Sequence, residues 1–184
     1  VAVLRYDDRG VAKSGGDFNN ATSADFADDV ASAVAYLKTR PEINTQQIGL
    51  IGHSEGGMIA PMVTAKSKDV SFIVMLAGLG IKGGDLILIQ KELIDRQGGT
   101  QESVIQNSKK VNTKLVDLVK KSTNDMALYE KLMNEATNAY KADSTIEFLL
   151  DQKYTDIAGA LCLPWVQYLI RYDPKSDLQK ITCP

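Results

Sequence analysis

The chain has 184 residues, 44% of them hydrophobic and 24% charged, with a formal net charge of −2 at pH 7. That size suits one sizeable core, burying roughly 70% of the surface of the unfolded chain. No basic stripe invites nucleic acid or a membrane surface, no apolar run reaches the roughly 18 residues of a membrane helix, and two cysteines make no disulfide framework.

In chain order, "VAVLRY" is β-branched and apolar and predicts a strand, followed by the polar, glycine-rich loop "DDRGVAKSGGDFNN". "SADFADDVASAVAYLKTR" predicts a helix with Ser23 as N-cap and Pro41 just past its end. Phe26, Val30, Val34 and Leu37 recur at helical spacing, and Asp25, Asp28 and Asp29 crowd the positive N-terminal end. "QIGLIGH" is a second strand, "EGGMIAPMVTAK" a short helix with a kink expected at Pro61, and "VSFIVMLAG" a third strand. The third is apolar without alternation, as expected of a strand covered on both faces. Strand, helix, strand, helix, strand is the order of a parallel α/β sheet.

After Gly84 amphipathic segments replace strands, at 85–97, 101–121, 124–142 and a shorter one near 145–152. Met126, Tyr129, Leu132, Met133 and Ala136 are read as one face of the third. A further helix begins at Pro164, and "DLQKITCP" reads as the lead-in to another strand. The expected division is a core segment over 1–84, a helical lid over 85–178 and the start of the next core strand at 179–184. Val1 falls inside a strand-like run and Pro184 directly after "ITC", so neither end reads as a domain edge, and localisation stays open.

The chemistry centres on "GLIGHSEGG". Ser54 sits in a Gly-x-Ser-x-Gly frame between a strand and a helix. A serine hydroxyl is a weak nucleophile, and a sharp strand-to-helix turn exposes it. Gly52 and Gly56, with Gly57 beside them, are expected to be small because that turn crowds backbones together. The Glu55 N–H and the start of the next helix are expected to face a developing oxyanion. His53 is the one histidine; neighbouring residues of a strand point to opposite faces, so His53 is read as packed behind the turn, not as the base.

"GHSEGG" together with "RYDDRGVAKSGG" resembles the α/β-hydrolase superfamily, in particular its esterase and serine-aminopeptidase-like members. Tyr6, Asp7, Arg9, Gly10 and Ser14 match a Tyr-Asp-x-Arg-Gly-x-Gly-x-Ser segment of that family, with Ala12 where the family usually has glycine. The resemblance covers about residues 1–81 closely, and "PWVQYLIRYDP" looks like the last lid helix of such enzymes. It implies a partial α/β-hydrolase sheet, three strands of it evident here, with a large helical lid insertion. It also implies a central segment of a longer enzyme, lacking the N-terminal strands and the C-terminal acid and histidine. In the family's sheet a further strand lies between "VAVLRY" and "QIGLIGH", so either self-association completes the sheet or the sheet is rearranged.

Three other stretches resemble functional motifs. "GLGIKG" at 78–83 is a literal Gly-x-Gly-x-x-Gly, but Asp95 and Glu102, at the distance of a ribose-binding acid, fall in helical segments with no strand between. It is read instead as a flexible glycine exit from the third strand. "GVAKSGG" places its Lys-Ser before the second glycine and fails as a phosphate loop. Asp7, Asp8 and Asp17 have no His or Cys near them and are read as a solvated loop, with an Asp7–Arg9 pair fixing the turn.

The expectation is therefore a serine hydrolase acting on small-molecule carboxylic esters or amides by acyl transfer, through Ser54 as nucleophile and Glu55 N–H as oxyanion donor. Trp165, Tyr168 and Tyr172 share a helical face and are candidate substrate contacts, with lid packing as the plainer reading. No metal or organic cofactor is implied, and the 184 residues alone are expected to be close to inert. A non-catalytic binding domain on the same scaffold is the rival reading.

Overall fold

The computed structural model describes residues 1–122 and 125–184, so Asn124 at the start of the expected 124–142 helix lies outside the described residues. The chain divides into two compact units, Val1–Ile81 with Asp173–Pro184, and Lys82–Tyr172. Among the described residues no helix is long and apolar enough to cross a membrane.

The first unit contains α1 (Ser23–Lys38), β1 (Gly49–His53), α2 (Gly56–Thr64), β2 (Phe72–Leu76) and, from the C-terminal segment, α8 (Lys175–Leu178). Thr22, not Ser23, is the N-cap of α1. Thr22 has the extended backbone that a cap needs, and its N–H and hydroxyl both donate to Asp25 Oδ2, at 2.8 and 2.7 Å. β1 and β2 pair in parallel, with Gly49 opposite Phe72 and His53 opposite Leu76. The connecting helix α2 packs on both strands and against α1 and α8. It is apolar around its whole circumference, and Gly57 through Thr64 are buried, as a helix enclosed on all sides must be.

The sheet has two strands among the described residues, not three. Val1–Tyr6 has a strand's composition, but it forms no ladder and stays exposed, because propensity does not replace a hydrogen-bonded neighbour. The expected cover on both faces of "VSFIVMLAG" is also corrected. One face of the sheet lies on α2, while Phe72, Val74 and Leu76 are exposed beside Ile51, which is 72% exposed. Pro184 O accepts the Ile73 N–H at 3.0 Å, placing the chain's last residue at the edge of β2.

The second unit is helical: α3 (Gly83–Gln97), α4 (Glu102–Lys121), α5 (Asp125–Ala142), a 3₁₀ turn (Leu149–Asp151), α6 (Ile157–Cys162) and α7 (Pro164–Arg171). The buried positions of α4 are Ile105, Ser108, Asn112, Leu115, Val116 and Val119, one continuous stripe at helical spacing. Its two polar members bind backbone. Ser108 Oγ accepts the Glu147 N–H at 2.9 Å, and Asn112 donates to Glu147 O at 2.9 Å while accepting the Leu149 N–H at 3.2 Å. That clamp fixes a segment expected to be helical from 145 to 152. Leu150 and Asp151 have φ of 59° and 52°, which no right-handed helix accommodates. On α5 the buried face is Leu128, Leu132 and Ala136, while Met126 and Tyr129 point outward. At the far end of α4, Arg171 donates to Val119 O and Ser122 O at 2.8 and 2.9 Å, satisfying carbonyls the helix leaves open.

Candidate active site

β1 ends at His53 and α2 begins at Gly56, leaving Ser54 and Glu55 to turn the chain. Ser54 has φ of +53°, a left-handed conformation uncommon for a residue with a Cβ, and its side chain is exposed. The Ser54 N–H donates to Leu76 O at 2.9 Å, tying the turn to the end of β2. On the other side Gly57 N–H donates to Ser54 O at 3.0 Å, and Met58 and Ile59 N–H donate to Glu55 O, both at 2.9 Å. A strained serine is thus held between a strand end and the first turn of a buried helix, a position from which its hydroxyl meets solvent and not the core.

Two glycines make the turn possible. A Cβ on Gly52 would stand 2.0 Å from Gly56 O, and one on Gly57 would stand 2.6 Å from Gly78 Cα. Gly56 differs from expectation, because a Cβ there meets nothing within 4 Å. The crowding falls on the strand side and on the side facing Gly78, whereas the Gly56 position looks outward. His53 is corrected as well. It is exposed, on the bare face of the sheet with Ile51 and Leu76, because no element of the described residues covers that face.

Glu55 reaches toward α1, where the Ser23 hydroxyl donates to Glu55 Oε1 at 2.6 Å. Ser23 is completely buried. Its contact with Glu55 was not legible in the sequence, where a Ser before a helix reads as a cap and a separation of 32 residues carries no signal. Arg9 also has other partners than expected. Its Nε and Nη2 bind both oxygens of Asp29 at 2.7 and 2.8 Å, its Nη2 reaches Asp25 O at 2.7 Å, and Nη1 reaches Asp25 Oδ1 at 3.3 Å. This two-pronged grip fastens the loop to α1, while Asp7 receives the Ser14 hydroxyl on its carbonyl at 2.6 Å. The Thr22 hydroxyl and N–H, with Arg9 nearby, hold the Asp25 carboxyl below the usual carboxylate range. Ala12 takes φ of +48°, a left-handed conformation that glycine adopts without strain.

In the helical unit Tyr168 and Tyr172 stack with ring centroids 5.9 Å apart, and Trp165 packs against the hydrophobic core of the helices. Gly83 of "GLGIKG" is buried, and a Cβ there would lie 1.9 Å from Leu169 O, so this glycine serves close helix packing and is not a flexible exit. Asp95 is engaged by Lys91 Nζ at 2.6 Å, with both side chains under 10% exposed. Among the described residues no three His, Cys, Asp or Glu side chains gather as a metal ion would require.

The fold is mixed α/β, mostly helical with a two-stranded parallel sheet among the described residues, and the family model it matches makes it a hydrolase-related α/β domain. The chain belongs to the BAAT / acyl-CoA thioester hydrolase C-terminal family, which it matches over residues 30–156. No curated protein and no solved structure matches it.

Proposed function

We propose that the protein is a serine hydrolase that cleaves acyl thioesters or carboxylic esters by acyl transfer through Ser54. The observation that carries this reading is the exposed Ser54 at φ +53° on a strand-to-helix turn. The family's acyl-CoA thioester hydrolase description supports the thioester as the acyl donor. Ser54 Oγ attacks the acyl carbonyl and loses its proton to a general base. The Glu55 N–H at the start of α2 stabilises the oxyanion, helped by the helix N-terminus. Collapse breaks the carbonyl–sulfur or carbonyl–oxygen bond and the leaving group takes the proton; water then cleaves the acyl-serine by the same steps. His53 lies on the exposed sheet face and is not assigned as the base.

The test is hydrolysis of an acyl-CoA, a p-nitrophenyl ester and an anilide by the full-length protein and by Ser54→Ala. Thioester and ester turnover is expected, with a loss of at least about 10³-fold in the variant. Equal turnover by both proteins contradicts the assignment, and absence of turnover by either favours a binding domain.

A further inference from the structure

We propose that Ser23 is a positioning residue for Ser54, acting through the side chain of Glu55. The inference rests on the reading of Ser54 as nucleophile and names what holds its turn in place. Glu55 is the single residue between Ser54 and α2, and its backbone is already helical, at φ −57° and ψ −38°. The direction of its N–H, and with it the oxyanion donor, follows the orientation of that one residue. Ser54 before it occupies a conformation that costs free energy and relaxes unless both sides of the turn are restrained.

One restraint is the hydrogen bond from Ser54 N–H to Leu76 O, at 2.9 Å. On the far side, Met58 and Ile59 N–H donate to Glu55 O, and the Glu55 side chain is tied as well, by the Ser23 hydroxyl on Oε1 at 2.6 Å, within the range of hydroxyl-to-carboxylate bonds. Ser23 is a firm anchor for two reasons. It is 0% exposed, so water does not compete for its hydroxyl. It is also the first residue of α1, whose opening turn is fixed by the Thr22–Asp25 cap and by Arg9 on Asp25 and Asp29. The loop after residue 6, the start of α1 and the Ser54 turn are thereby one connected hydrogen-bonded unit. A residue that only stabilised the fold would leave turnover by the folded protein unchanged; a positioning residue alters kcat.

The experiment measures kcat and KM for p-nitrophenyl butyrate, with melting midpoints, in the full-length protein. Ser23→Thr and Ser23→Val have nearly the same shape and differ in the hydroxyl. Val is expected to lower kcat about tenfold below Thr with KM within twofold, the scale of a sub-ångström misplacement. Ser23→Ala against wild type gives the same comparison without the added methyl groups, should the Val variant not fold. Equal kcat for Thr and Val, or for Ala and wild type, overturns the positioning role, as does a loss confined to KM. Activity that survives in Ser54→Ala overturns the reading beneath it, and the positioning role falls with it.

Discussion

Replacing Ser54 by glycine should make the protein both inert and more stable. An L-residue in the left-handed region costs roughly 1–2 kcal/mol, and glycine removes that cost. Glycine gives back about 0.4–1 kcal/mol through the greater freedom of the unfolded chain. The side chain is exposed, so no packed contact is lost, and the net gain is about 0.5–1 kcal/mol. Ser54→Ala keeps φ of +53° and serves as the reference, with a change below about 0.5 kcal/mol. Ala12→Gly is the internal control. That residue is exposed at φ +48° with no chemistry assigned to it, so it should gain a similar amount while leaving turnover intact. Urea unfolding read by linear extrapolation, with the slope m unchanged, measures the differences. In thermal unfolding they correspond to about 1–4 °C for a protein of this size. A Ser54→Gly variant no more stable than Ser54→Ala, alongside a stabilised Ala12→Gly, would refute the idea that the serine is held in a strained turn.

The two motif glycines should separate. Gly52→Ala drives a methyl against Gly56 O and is expected to cost about 1–3 kcal/mol, whereas Gly56→Ala should be neutral or stabilising by up to about 1 kcal/mol; denaturant midpoints decide it. In the helical unit, Lys91→Met leaves the Asp95 carboxyl buried without its cation and is expected to cost about 3–5 kcal/mol; the double variant Lys91→Met/Asp95→Leu should recover most of that, and additive losses would contradict the pairing. Stability should also fall on the acid side as pH drops through the lowered pKa of Asp25. The folded-state pKa lies below the unfolded one, so the contribution is complete above the ordinary carboxylate pKa, near pH 4, and vanishes on protonation. Asp25→Asn should flatten that limb, and an unchanged pH profile would count against the cap.

Local signals were legible where chemistry and neighbours in sequence decide the outcome. The start of α7 at Pro164 is one case, since a proline at the first helical position loses no hydrogen bond. The setting of Ser54 between an apolar strand and a helix is another, because both flanks announce themselves. Features that depend on distant partners were not legible. "VAVLRY" has the composition of a strand, but strand formation needs a ladder. β2 has the composition of a doubly covered strand, while its cover depends on what lies over Val74 and Leu76. The Asp7–Arg9 pairing looks only two residues back along the chain, yet the fork reaches across to α1, where Asp29 presents two oxygens. Ser23 carried a real helix-start signal, one residue from the true cap, and its hydroxyl turned out to serve Glu55. The 145–152 segment shows the same limit, since its shape comes from Ser108 and Asn112 on another helix.

The most direct measurement is peptide mass mapping of the full-length protein quenched during turnover of a slowly deacylating thioester. The account predicts the acyl group on the peptide containing Ser54, attached to that hydroxyl and absent from Ser54→Ala. Turnover with no acyl adduct at Ser54, or an adduct that persists on another residue in the variant, would contradict it.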